Sequence, residues 1–195
     1  MFDNFIKAIN SLVPLPEDET GKLLQICAKV NVQKEAIWIR EGQVPKHFAF
    51  IEKGVFRIFY SDKSGNYFTK SFFQEGSFLS AYIALREEEP SFFNIEALED
   101  AELVVIDYQK WLKLYEGNPV WKEFLIKLLT KAYSKKEKRE REFLQLSAEE
   151  RYREFLAEYP GLDKRIKQHY IASYLGITPV ALSRIRKKMG LVNLG

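Results

Sequence analysis

The sequence of 195 residues predicts an α+β protein with three parts: an N-terminal antiparallel β-roll, a long central dimerisation helix, and a C-terminal helical domain built on a helix-turn-helix. Three observations predict it. Between about Val30 and Asp107, short β-rich runs are punctuated by turn glycines at 42, 54, 65 and 76, intervals of 12, 11 and 11, the spacing of a closed or rolled antiparallel domain. From Asn118 to Leu146 a stretch that opens on a cap and a proline keeps a helical period. Near the C-terminus two apolar runs at helical spacing, Ile171, Ala172 and Leu175, then Leu182, Ile185 and Met189, flank Gly176-Ile177-Thr178-Pro179.

Taken in order, residues 1–29 read as helical. Phe2, Phe5, Ile6 and Ile9 share a face, Pro14 and Pro16 interrupt, and Glu17-Asp18-Glu19 opens a second helix carrying Leu23, Leu24, Ile26 and Cys27. Cys27 continues that apolar stripe and reads as a packing thiol. The β-rich runs follow: 36–39, 47–51, 55–60, 67–73, 92–95 and 103–106. Ser64-Gly65-Asn66 makes the clearest hairpin turn. A roll of this size encloses either packed side chains or a small ligand, and the sequence leaves both open.

Asn118 caps the long helix and Pro119 takes its first position. Trp121, Leu125, Leu128 and Ala132 repeat at four-three-four spacing, a coiled-coil-like seam. About 28 residues would extend about 42 Å, too long for one wall of a small core. Pairing with a second copy is therefore preferred to packing back on its own β domain. Beyond Tyr133, eight consecutive charged residues (135–142) read as a solvated face with i,i+4 pairs. Ser147-Ala148-Glu149-Glu150 is a capping box for the next helix, whose inner face carries Tyr152, Phe155, Leu156 and Tyr159 and which Pro160-Gly161 stops. The domains are accordingly expected at 1–117 (helices and roll), 118–146 (dimerisation helix) and 147–195 (helix-turn-helix).

Charge sharpens the last part. Residues 1–117 hold 13 Lys and Arg against 18 Asp and Glu, a balance of −5, whereas residues 118–195 hold 17 against 9, or +8. After Asp163 no acidic residue occurs, while seven basic ones do. In the turn, Gly176 can end one helix in the left-handed conformation. Thr178 is a good N-cap and Pro179 suits the first helical position. A capped helical turn in an acid-free basic segment points to double-stranded DNA as the partner. An alternative from another class is a small-molecule-binding module whose C-terminal helices contact a protein.

Composition is that of a globular chain, 46% hydrophobic and 29% charged. No apolar run approaches the roughly 18 residues that span a bilayer, and no signal pattern opens the chain, so no membrane partner and a cytoplasmic location are expected. One Cys cannot form an internal disulfide or hold an iron–sulfur cluster. His47 and His169 stand far apart in the element order, and no metal site is expected. No Gly-rich phosphate loop and no set of nucleophile, base and orienting group is present, so an enzyme is not expected.

A β-roll, a long helix and a helix-turn-helix in this order resemble the Crp/Fnr family of bacterial transcription regulators. The stretch from Leu146 to Lys188, with Ser147-Ala148-Glu149-Glu150-Arg151-Tyr152 and Ile171-Ala172-Ser173-Tyr174-Leu175-Gly176-Ile177-Thr178-Pro179, is similar to short Bacteroidetes-type members. The resemblance implies a homodimer on a roughly palindromic site, with RNA polymerase as a further partner. It implies that Thr178, Pro179 and the neighbouring N–H groups meet phosphate, that Val180 and Arg184 reach bases, and that Ser183, Lys187 and Lys188 hold phosphate and sugar. Many relatives carry an acidic residue where Val180 stands, so the preferred site should differ. After the recognition helix, too little chain follows for the β-wing of larger members.

In the roll the resemblance places an effector pocket at Gly76, Phe78, Leu79, Ser80, Ala81, Tyr82 and Ser91. Relatives that bind cyclic nucleotides carry a Glu for the ribose where Ala81 stands and an Arg for the phosphate where Ser91 stands. Without them a buried phosphate loses most of its stabilisation. Arg86 is near in sequence but precedes Glu87-Glu88-Glu89. Capture of cAMP is therefore not expected, no cofactor is assigned, and another small-molecule effector stays open.

Overall fold

The computed structural model describes residues 2–191. They form two compact units: the chain up to Tyr60 together with Ser71–Ala132, and Ser61–Lys70 together with the chain from Tyr133 on. The end of the chain, on which the expectation about a β-wing partly falls, lies outside the described residues.

The first unit opens with helices α1 (Asp3–Asn10) and α2 (Glu17–Gln25). Eight strands follow: β1 (Cys27–Val32), β2 (Ile37–Ile39), β3 (His47–Lys53), β4 (Phe56–Ser61), β5 (Tyr67–Phe73), β6 (Phe78–Leu79), β7 (Asn94–Ala97) and β8 (Ala101–Asp107). Helix α3 (Tyr82–Glu87) lies between β6 and β7, and α4 (Tyr108–Gly117) follows β8. Two four-stranded sheets result, in the orders β1-β8-β3-β6 and β2-β7-β4-β5. β8 pairs antiparallel with both β1 and β3, and β7 with both β2 and β4. The pattern is the expected roll, with one correction at its start. α2 ends at Gln25, so Cys27 opens β1 instead of closing the helix. There its thiol donates to the Leu23 carbonyl at 3.2 Å. Burial pushes that thiol up to about 12, so little reactive thiolate forms at neutral pH.

The roll interior is filled by Ile39, Ala49, Ile51, Phe56, Ile58, Leu79, Ile95, Ala97 and Leu103 with their neighbours. A second apolar cluster joins α1, α2, α4 and the start of α5 (Pro119–Gln145) to the roll. Its rings run as a chain: Phe5–Phe50 at 5.4 Å, Phe50–Phe78 at 5.3 Å, Phe78–Phe124 at 5.3 Å and Phe124–Trp121 at 6.0 Å. Close ring contacts of this kind add to the burial of apolar area. At the β3–β4 turn Gly54 sits at φ 110, where an added Cβ would come within 2.5 Å of the Ala101 Cβ.

Trp121 corrects the expected seam. It is 0% exposed and donates its indole N–H to Glu19 Oε2 at 2.6 Å, inside the core of its own chain. Leu125 and Leu128 are half-buried against that core, and Ala132 is exposed. The four-three-four period of apolar residues records the face that α5 lays on its own unit. Length alone favours pairing with a second copy and does not register this core. The exposed large apolar side chains of α5 lie elsewhere: Ile126 (64% exposed) and Tyr133 (65%), seven residues apart, and Phe143 and Leu144 near its C-terminal end.

The second unit holds Ser61–Lys70, with the first four residues of β5, and the rest of α5, then α6 (Ala148–Glu158), a 3-10 turn (Leu162–Lys164), α7 (Gln168–Leu175) and α8 (Pro179–Lys188). Ser147 and Glu150 close the capping box in both directions. Tyr152, Phe155, Tyr159 and Tyr174 stack at centroid distances between 5.4 and 6.2 Å to form its core. Among the described residues, no helix is long and apolar enough to cross a membrane.

Candidate nucleic-acid interface

The interface is built on the turn between α7 and α8. Gly176 takes φ 68, its N–H bonds the Ser173 carbonyl at 3.2 Å and the Ile177 N–H bonds the Ala172 carbonyl at 3.0 Å. This is the Schellman ending of a helix, which needs a left-handed residue at the turn. Two residues on, the Thr178 hydroxyl accepts from the Ala181 N–H at 3.2 Å and Pro179 occupies the first turn of α8. The inner faces of both helices are apolar: Ile171, Ala172, Leu175 and Leu182 are buried.

α8 therefore has a defined outer face. Thr178, Pro179, Val180 (61% exposed), Ser183, Arg184, Lys187 and Lys188 all lie on it and are exposed. The i, i+4 spacing of Val180, Arg184 and Lys188 gives them one stripe. The four cations of this helix are not equivalent. Arg186 turns inward, where Nη1 donates to the Tyr152 hydroxyl at 2.7 Å and lies 3.4 Å from Asp163 Oδ2. Lys188 pairs with Glu149 at 2.6 Å, and that bond, with a second from Arg153, holds the Glu149 carboxyl below its usual range. Arg184 and Lys187 have no ion-pair partner among the described residues. A planar guanidinium left exposed in this way can bond two acceptors at once, as on the edge of a guanine.

Sequence reasoning missed what stands behind the turn. The charged run 135–142 is only half solvated. Lys135 reaches Glu158 at 3.3 Å, Lys138 reaches Glu142 at 3.2 Å and Glu154 at 3.1 Å, and Arg139 Nη2 donates to the Tyr174 carbonyl at 2.8 Å. The i,i+4 pair expected there exists, but one face of the run grips α6 and α7. Phe143, an aromatic residue one turn after Arg139, was the available signal. Ser173 was also missed. Its hydroxyl accepts from the Thr69 N–H at 2.9 Å and donates to the Tyr67 carbonyl at 3.0 Å, satisfying two backbone groups on the edge strand β5.

The residues expected to form an effector pocket stand in different surroundings. Leu79 and Ala81 point into the filled roll, whereas Phe78 faces the ring cluster around Phe124 and does not line the interior. Gly76 is an exposed turn residue, and Ser80 and Tyr82 are half-buried. Ala81 and Ser91 are each only 1% exposed. The Ser91 hydroxyl is engaged by its own loop, donating to the Phe93 carbonyl at 2.8 Å, and its backbone bonds Gln43 and Gly42. Among the described residues no group of three or more His, Cys, Asp or Glu is placed to hold a metal ion.

Residues 29–118 match the cyclic nucleotide-binding domain family. Over most of its length, including the long helix and the C-terminal helices, the chain also shares its fold with solved structures of low sequence identity. It is similar in fold to the c-di-GMP responsive global regulator CLP of Xanthomonas campestris, with 14% identity over 90% of this chain and 92% of that one and a TM-score of 0.72. It is also similar to FixK2 from Bradyrhizobium japonicum, at 16% identity, 87% and 89% coverage and a TM-score of 0.73. A transcriptional regulator assigned to the crp/fnr family from Eubacterium rectale gives 17% identity, 93% and 88% coverage and a TM-score of 0.73. No curated protein matches the sequence.

Proposed function

We propose that the chain is a sequence-specific DNA-binding transcription regulator that acts as a homodimer in the cytoplasm, with RNA polymerase as a further partner. In this division of labour, residues 147–195 bind DNA, 118–146 join the two copies, and 1–117 form a cyclic-nucleotide-binding-like domain. The observation that carries the reading is the outer face of α8. Behind a fully capped turn it presents Val180, Ser183, Arg184 and Lys187, and among the described residues no carboxylate pairs with Arg184 or Lys187. A face evolved only for stability would mix signs. Arg184 reads a guanine, Val180 meets a thymine methyl, and Thr178, Pro179, Ser183, Lys187 and Lys188 hold the backbone. Lys188 must exchange Glu149 for a phosphate to do so.

Cyclic AMP is not the effector in this reading. Ala81 and Ser91 stand where the ribose and phosphate contacts would be, and both are closed off.

Arg184→Ala tests the base-reading assignment. Its affinity for the preferred site should fall by about 1–3 kcal/mol, with discrimination relaxed at one base pair of each half-site. Lys187→Ala should weaken all sequences alike and lower the salt slope by about one. Discrimination that survives Arg184→Ala in a competition assay would show that another residue reads the base.

The dimer face follows the exposure on α5. Of its exposed apolar side chains, Ile126 and Tyr133, with Leu129 between them, lie at the seven-residue spacing of a pairing seam, whereas Trp121 is taken by Glu19. Ile126→Glu with Tyr133→Glu should convert the dimer to a folded monomer in sedimentation analysis. A dimer that survives the pair of changes would move the interface to another surface.

A further inference from the structure

A helix leaves its last four carbonyls without partners inside the helix. In α7 these belong to residues 172–175. The turn itself satisfies two of them, through the Ile177 and Gly176 N–H groups described above. The other two are met from outside. Arg139 on α5 donates to the Tyr174 carbonyl at 2.8 Å, and Arg151 on α6 donates to the Leu175 carbonyl at 3.1 Å and to Leu146 at 2.7 Å. Cations at the negative end of a helix are doubly favourable, through the bond and through the dipole.

Between these two guanidinium groups lies one ring. Phe143 stands 4.7 Å from Arg139 and 4.8 Å from Arg151, and its edge would be 2.9 Å from any Cβ added at Gly176. Arg139 also lies 3.7 Å over the Tyr174 ring. Three side chains from two helices thus converge on the one place where α7 turns into α8. Thr178, the first cap of α8, follows two residues later, so the direction of α8 is set where this contact is made. Lysine could supply the charge but not the flat, multiply donating group that stacks and bonds together.

We propose that Arg139, Phe143 and Arg151 form a clamp that fixes the angle of the recognition helix relative to α5, which makes them positioning residues for DNA binding. The inference rests on the DNA-binding reading, but its first test does not. Spin labels at Lys136→Cys on α5 and Ser183→Cys on α8 are read in a Cys27→Ala background, with excess unlabelled chain to isolate single copies. The intact clamp gives one narrow distance distribution. Arg139→Gln with Arg151→Gln broadens or shifts it while circular dichroism keeps the helix content. An unchanged distribution overturns the clamp. Should the double variant lose helix content, Phe143→Leu, which keeps both arginines, gives the same readout.

The second test separates positioning from ordinary stability. Inserting one base pair between half-sites turns one of them by about 35° and should weaken the intact protein by about tenfold. The double variant loses most of that penalty while its affinity for a single half-site stays within about twofold. A variant whose half-site affinity falls as much as its affinity for the full site has merely lost structure, and the proposal fails. If the intact protein has no preferred DNA at all, the DNA-binding reading fails, and the label distances alone decide the clamp.

Discussion

Gly176→Val is expected to lower specific DNA affinity by about a hundredfold and to loosen the C-terminal unit without touching the first. Two penalties act at one position. Gly176 sits at φ 68, a conformation that costs an L-residue roughly 1–2 kcal/mol and a β-branched one more. The new Cβ would also lie 2.9 Å from Phe143. That ring is 40% exposed but stacks against Arg139 and Arg151, so moving it disturbs both contacts. Crowding of this kind costs about 1 kcal/mol, the low end for an overpacked site. A sum of about 3 kcal/mol, felt in the turn that aims α8, corresponds to about two decades in affinity. Gly176→Ala in a Phe143→Ala background separates the terms, since only the backbone strain remains there. Equal affinities for Gly176→Val and the unaltered protein in a titration would show that the turn does not aim the recognition helix.

Trp121→Ala should destabilise the first unit by about 4 kcal/mol, the range for emptying a buried aromatic site. The indole is fully buried in the ring cluster, and its removal also takes a hydrogen bond from Glu19, a carboxylate only 3% exposed. Glu19 adds a pH signature. Burial raises its pKa, but the bonds from Lys22 and from the Trp121 indole outweigh that effect and leave the carboxyl below its usual 4.5. A carboxylate depressed in the folded state contributes stability that is present above the unfolded value. That contribution is lost as pH falls through the folded one. Urea unfolding followed from pH 7 downwards should therefore show stability falling below about pH 4.5. Glu19→Gln, which keeps an acceptor for the indole, should flatten that part of the curve. An unaltered slope in Glu19→Gln would assign the acid sensitivity to other carboxylates.

The two ends of the chain were legible for different reasons. In the C-terminal unit, local rules agree with one another. Gly176, Thr178, Pro179 and the Ser147–Glu150 box each specify a backbone conformation, and each adopts it. The residues of the outer face of α8 came from the family resemblance, and helical period agrees with it, because that period fixes which residues share a side. The roll was legible as a class from its turn glycines, but not strand by strand. Cys27 carries no local mark that separates the end of an apolar helix stripe from the start of a strand, and pairing with β8 decides it.

In the long helix the place of Trp121 was not legible, for a more general reason. Apolar spacing shows that a helix has a covered face and does not show what covers it. Trp121, Leu125 and Leu128 suit a second copy as well as they suit α1 and the roll, and only the tertiary core at Phe5, Phe50 and Phe124 distinguishes them. The same holds for Arg139 and Arg151. A charge at helical spacing looks solvated until a carbonyl from a distant helix end is found beside it.

In the proposed function the outer face of α8 reads DNA as one of a pair, without cyclic AMP. Selection of binding sites from random duplex DNA by the purified, ligand-free protein tests it most directly. The expected result is enrichment of a two-fold symmetric site with half-sites about 10 base pairs apart, an affinity that falls steeply with salt, and the same site with cAMP present. No enrichment at low salt, or enrichment only when cAMP is added, would contradict it.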